Sequence, residues 1–299
     1  MKRLGVAVVV MGLACPLAAA PLLPEPPQRL QDTGFGAAGA LAFTPQYPLW
    51  SDAADKRRWY SLPAGTAIDQ RDIDAWQFPP GTRLWKEFAL GGRPVETRFI
   101  ERLADGSWRF ASYVWTAEGS EARLAPAAGM SIAHRDAPNG RYQVPSRTDC
   151  LACHGSAPVP VLGLSALQLT PRRIAADNET ERAALGYLHA NCAHCHNTSD
   201  NRVPLKLTLA QSAADPVASR AAVLRSVLAA SRWRAHGSAA TQVIAPGQPQ
   251  HSVLALRMAS RDPQVQMPPL GSAQVDAEGL ALIERWIRAL PPPLLEKPR

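Results

Sequence analysis

Tyr187-Leu-His-Ala-Asn-Cys192-Ala-His-Cys195-His196 is the stretch on which the reading of the chain turns. It ends in Cys-x-x-Cys-His, and the same pattern occurs once more at Cys150-Leu-Ala-Cys153-His154. Two thiols at this spacing face one way within a single helical turn, so both can add to the vinyl groups of one porphyrin. The histidine directly after them presents a ring nitrogen to iron. Four of the five cysteines fall inside the two segments. The pattern therefore predicts two covalently bound haem c groups, one on Cys150 and Cys153 and one on Cys192 and Cys195, with His154 and His196 as axial iron ligands. Two other uses of paired cysteines stand beside this reading, a four-cysteine zinc site and redox dithiols or disulfides. A zinc ribbon has no need of a histidine after both pairs, and it is usually intracellular. Neither alternative accounts for the repetition of the whole five-residue pattern.

The N-terminus points to export. Met1-Lys2-Arg3 is a short positive region, residues 4–14 are apolar, and Ala18-Ala19-Ala20 offers small residues for cleavage. This is the layout of a secretory signal over 1–20 and is too short to span a bilayer comfortably. Gly12-Leu13-Ala14-Cys15 allows a second reading, a lipoprotein signal over 1–14 with lipid on Cys15. Both place the protein in the periplasm, free or lipid-anchored. Residues 21–46 read as a linker, with a proline-rich stiff start. The formal net charge of +7 comes without a long basic run, which argues against nucleic acid as a partner and suits an acidic protein or a membrane surface. Arg172 and Arg173 are candidate counter-charges for haem propionates.

Between residues 47 and 145 the chain alternates short strand patterns with turn residues. Strands are expected over 57–62, 83–90, 95–103, 107–115 and 121–124, with Ala104-Asp105-Gly106 as a hairpin turn. Both faces of 107–115 carry apolar bulk, so that strand should be central. The segment predicts a β sandwich or small barrel, with its six tryptophans in the core and its loop acids, Asp52, Asp55, Asp69, Asp72 and Asp74, in solvent. Residues 146–177 hold the first attachment motif, where Thr148 or Asp149 is expected to cap a short helix. Residues 178–291 read as helical: a helix capped by Asn178 with Glu181 at its third position, helices near 215–232 and 252–258, and a last amphipathic helix capped by Asp276 and stopped by the prolines at 291–293. His189 and His194 read as exposed. Residues 292–299 are a tail. The fold class expected is α+β.

Two resemblances add to this. His196, followed 71 residues later by Met267 in Met267-Pro-Pro-Leu-Gly and then by a terminal helix, resembles a class I cytochrome c domain over 178–291. The resemblance implies that the motif helix crosses the last helix, with Gly186 and Leu188 near Trp286 or Ile287, and that Met267 is the sixth iron ligand opposite His196. More widely, Tyr47-Pro-Leu-Trp-Ser-Asp, Phe78-Pro-Pro-Gly-Thr, Val95-Glu-Thr-Arg, Tyr113-Val-Trp and the stretch at 187–196 resemble a group of exported bacterial dihaem proteins with an N-terminal β module. That likeness implies architecture and electron transfer, not a substrate. No Met-Pro loop precedes the second motif, so the sixth ligand of the first haem is open, with Met130 and His134 as candidates.

The function expected is electron transfer by a dihaem c-type cytochrome, with a redox protein or dehydrogenase as partner. Two alternatives stay open. One is a peroxidase-like oxidoreductase with an open first haem, against which the short separation of the motifs counts. The other is a cytochrome subunit docked to a dehydrogenase through its β module.

Overall fold

The computed structural model describes residues 25–198, 206–234 and 239–291. The signal region with Cys15, the tail 292–299 and His236 lie outside the described residues. Six strands form one antiparallel sheet in sequence order: β1 (Leu41–Ala42), β2 (Asp55–Ser61), β3 (Arg83–Leu90), β4 (Arg93–Arg102), β5 (Trp108–Trp115) and β6 (Ala122–Leu124). β7 (Met130–Ala133) and β8 (Arg141–Val144) make a separate hairpin. The helices are α1 (Arg147–His154), α2 (Ala166–Leu169), α3 (Glu179–Asn191), α4 (Pro216–Val227), α5 (Val253–Ala259) and α6 (Ala277–Ala289). The fold mixes a meander sheet with helices. The β region is an open six-stranded sheet plus a two-stranded hairpin, not a pair of matched sheets or a closed barrel. Helices and a helical core cover the face that a second sheet would have covered.

The sheet follows the alternation of its strands. Trp59, Trp85 and Phe99 lie in register across β2, β3 and β4, with Ala111 next to them on β5. Leu30, fully buried in a short 3-10 turn (Leu30–Thr33), and Phe35 cover this row, and Thr33 accepts a hydrogen bond from the Trp85 indole at 2.8 Å. Residues 28–42 therefore belong to the folded body rather than to a linker: Leu124 donates to the Gln28 carbonyl and β1 pairs with β2. Apolar Leu30 and Phe35 bury against indoles and outweigh the loop-like composition around them. The 103–107 turn closes as expected, with Gly106 at φ 82° and Asp105 accepting from Ser107. β5 is buried on both faces, Ala111 and Tyr113 on one and Phe110 on the other.

One apolar cluster joins the other sheet face to the helices. It contains Phe78 and Leu84 from the β region, Leu164 and Leu167 around α2, Leu185 and Leu188 of α3, Val223 and Val227 of α4, and Ile283, Trp286 and Ile287 of α6. Capping explains where the helices begin. Asn178 accepts from the Glu181 N–H at 2.9 Å, Asp215 from Ala218 and Asp276 from Gly279. At α1 the cap is Ser146, two residues before Thr148, and Asp149 serves as its partner in a reciprocal capping box rather than as the cap. α3 packs on α6, but the contact is made differently from the expectation. A side chain on Gly279 would meet the Tyr187 ring at 2.4 Å, so the close approach is on α6. Gly186 opens instead towards the Tyr47 ring, 2.1 Å from where a Cβ would stand. Leu188 shares the core with Trp286 and Ile287 as read from the sequence. No described helix is long and apolar enough to cross a membrane.

Candidate haem-attachment site

The two Cys-x-x-Cys-His segments, one on α1 and one in the turn after α3, 42 positions apart in the chain (150 to 192), meet in space. α1 carries the first and lies on the sheet, where the His154 ring sits 5.1 Å from the Phe110 ring of β5. The second begins where α3 ends, and the His196 N–H closes a helical turn on the Cys192 carbonyl at 2.9 Å. The donor atoms of Cys153, His194 and Cys195 all lie within 4.8 Å of one another, the one such group of histidine, cysteine and acidic residues among the described residues. The Cys195 thiol points at the Ala152 carbonyl (3.8 Å), and the Asn197 side chain donates to the Ser156 carbonyl (3.1 Å). Cys150, Cys153, Cys192 and Cys195 are all free thiols.

The two histidines differ in how they are held. His154 Nδ1 lies 2.5 Å from the Pro160 carbonyl, a bond that requires the proton on Nδ1 and leaves Nε2 as a lone pair. Burial pushes its pKa down to about 4, and the nearby Lys86 and Arg98 act in the same direction while the Pro160 bond opposes them. His196 Nδ1 is buried without a hydrogen-bond partner. Among the thiols, burial pushes Cys192 up to about 12. Cys195 is shifted down, first by the hydrogen bond with Cys153 and then by the one with His194, while Cys153 moves the opposite way as the proton donor.

The Tyr47-Pro-Leu-Trp-Ser-Asp segment holds the second motif in place. Asn191, directly before Cys192, accepts from the Trp50 N–H at 2.7 Å and reaches the Pro48 carbonyl at 3.4 Å. The Tyr47 N–H donates to Gln168, and the Tyr47 ring fills the notch at Gly186. Asp52 accepts from the N–H groups of Ala273 and Gln274 at 2.9 Å, and Asp74 from Ala213 and Ser212. These two acids bind the sheet region to the helical region instead of facing only solvent. Nothing in their loop context distinguished them, because their partners lie 138 or more residues away.

His189 and His194 are not free surface residues. His189 Nδ1 accepts from the Gln211 N–H (3.1 Å), and burial pushes its pKa down to about 4. His194 joins the two thiols described above. Met267 is half-buried in the loop after α5, its N–H bonded to the Arg257 carbonyl at 3.0 Å. Met130 is exposed on β7, and His134 uses Nδ1 to accept from the Asp136 N–H within its own turn. Neither is tied to His154, whose ring faces Phe110 and Pro160. No family model, curated protein or solved structure matches the chain.

Proposed function

We propose that the protein is a dihaem c-type cytochrome that passes electrons between redox partners in the periplasm or at the membrane surface. The observation that carries this reading is the convergence of both Cys-x-x-Cys-His segments at the Cys153–His194–Cys195 contact. Each segment offers two free thiols and a histidine with a nitrogen to spare, which is the donor set of covalent haem attachment. The Nδ1 bond of His154 to Pro160 is the type of outer contact that orients an iron-bound imidazole. The unpaired buried Nδ1 of His196 is a site for the same kind of partner. Haem, when bound, supplies reversible one-electron chemistry at iron. The chain's own thiols would attach it, the Pro160 carbonyl orients the His154 imidazole, and an apolar core around Leu188 and Trp286 backs the second motif. Met267 is assigned to the sixth position over the His196 haem, which makes 178–291 a class I cytochrome c domain on this reading.

Expression in a host competent for cytochrome c maturation tests the proposal. The intact mass should exceed the processed polypeptide by two haem masses, and Met267→Ala should abolish the near-infrared thioether–iron band of one haem only. A second reading has one observation in its favour: Cys153, His194 and Cys195 already form a three-donor group suited to a zinc ion. It leaves Cys150, Cys192, His154 and His196 without a role. Stoichiometric zinc and no haem after such expression would establish it. Carbon monoxide binding by the reduced wild type would favour the enzymatic version, with an open iron at the first motif.

A further inference from the structure

The sheet face beneath α1 carries a row of cations where its strands are otherwise apolar. Arg58, Lys86 and Arg98 stand directly opposite one another across β2, β3 and β4, and Lys56 lies beside them. On β3 Lys86 sits between Leu84 and Phe88, both buried, and on β4 Arg98 follows the fully buried Glu96 by two residues. Arg58 is itself only 8 % exposed. Like charges placed opposite each other on neighbouring strands repel, and a buried cation without a counter-ion is strongly disfavoured. The counter-charge at hand is Glu96, and it is already used: both its oxygens bind Arg98 at 3.0 Å, and one also accepts from Tyr142 at 2.7 Å. The other acids of the central strands, Glu87 and Glu101, turn to the opposite face, where Glu87 pairs with Arg57 and Glu101 with Arg83 and Arg109. Lys86 rests on the Phe88 ring at 4.9 Å, and Lys56 donates to the Leu49 carbonyl. The row is thus left with an excess of positive charge next to the first motif. Lys86 and Arg98 both act electrostatically on His154, and Arg98 on Cys150. Burial and mutual repulsion together hold the Lys86 ammonium well below its ordinary pKa, which an anion at this place would reverse.

We propose that Arg58, Lys86 and Arg98 form a carboxylate-binding row that receives the propionates of the haem attached at Cys150 and Cys153. The inference rests on the haem reading above. It makes the sheet one wall of the first haem site, and it replaces Arg172 and Arg173 as the counter-charges. Carboxylates fit the row because two adjacent guanidinium or ammonium groups can share one carboxylate group while Glu96 keeps Arg98 aimed.

The test uses the full haem-loaded protein. Lys86→Gln and Arg58→Gln should each lower the midpoint potential of the Cys150/Cys153 haem, since loss of a positive charge favours the ferric state. The other haem should not move. The propionate bending bands of the first haem in resonance Raman spectra should shift in both variants and return in Lys86→Arg. Unmoved potentials and bands in both glutamine variants, at full haem content, would overturn the row while leaving the dihaem reading intact. A saturable change in the wild-type potential on adding acetate would show a row open to free carboxylates, and that too overturns the propionate assignment. A protein that matures without haem removes both.

Discussion

The two attachment motifs have the same five-residue pattern and opposite surroundings. The first lies on a short helix laid against a sheet, beside the cationic row and an aromatic ring, with its histidine tied to a carbonyl. The second ends a long helix whose buried side is Leu185 and Leu188, packed against α6, with its histidine nitrogen unpaired. The same attachment pattern in unlike dielectric and charge environments gives haems of unlike potential. On the haem reading, positive charge raises the first site and apolar enclosure with a thioether raises the second, so the pair is tuned by two separate means.

The most drastic way to break the comparison is to remove one member. Cys150→Ala with Cys153→Ala, or Cys192→Ala with Cys195→Ala, should each cost one haem mass, and the optical spectrum left behind should differ between the two. Identical residual spectra would mean that the surroundings do not matter.

Next in size is Asn191→Ala, which acts only on the second motif. It leaves the Trp50 N–H without its acceptor and frees Cys192 from the Tyr47 segment. A loss of roughly 3 kcal/mol is expected from the buried bonds removed, read as a lower urea midpoint at unchanged slope. A change below about 0.5 kcal/mol would show that the segment merely rests on α3.

The third test is a pH profile. Burial holds His189 at about 4 when folded, against 6.5 for a free side chain, with Asp74 opposing the shift and His194 adding to it. The unfolded chain therefore binds the proton more readily between those values. The stabilisation is fully present above pH 6.5 and drains away as pH falls towards 4. About 2 kcal/mol is expected, partial exposure of the ring holding it below the full conversion of the shift. His189→Gln should flatten this limb of the stability curve. An equally steep wild-type and mutant profile would assign the dependence elsewhere.

The smallest effect belongs to the first motif. Ser146→Ala removes the α1 cap and should lower stability by about 1 kcal/mol. It should also broaden the spectrum of the first haem more than that of the second.

These tests reach parts of the molecule that differ in how plainly the sequence announces them. Strands β3 and β5 were legible to within a residue because alternation and glycine turns are local signals. The caps at Asn178, Asp215 and Asp276 follow from the same local chemistry. The paired thiols Cys150, Cys153, Cys192 and Cys195 declare themselves by spacing alone. What stayed hidden depends on partners remote in the chain. Leu30 looks like linker until Trp85 is beneath it, and Asp52 and Asp74 look like solvent acids until the 273–274 backbone and the 212–213 segment arrive. The cationic row left a trace in Lys86, a charge interrupting the apolar face of a central strand, but only strand register sets it beside Arg58 and Arg98. Gly186 looks like the glycine of a helix crossing, whereas it admits the ring of Tyr47 from the segment before β2.

The grip of Trp50 on Asn191 spans 141 residues of sequence. Contacts of that separation form late, because the loop must close before any of its energy is recovered. The last turn of α3 is held by local bonds, whereas its seating by the Tyr47 segment requires that long loop to close. On the haem reading, an unclamped end of α3 would leave Cys192 and Cys195 open to whatever enzyme joins porphyrin to thiol. On that reading the distance along the chain would act as a clock, keeping the second motif available until the rest of the molecule shuts over it.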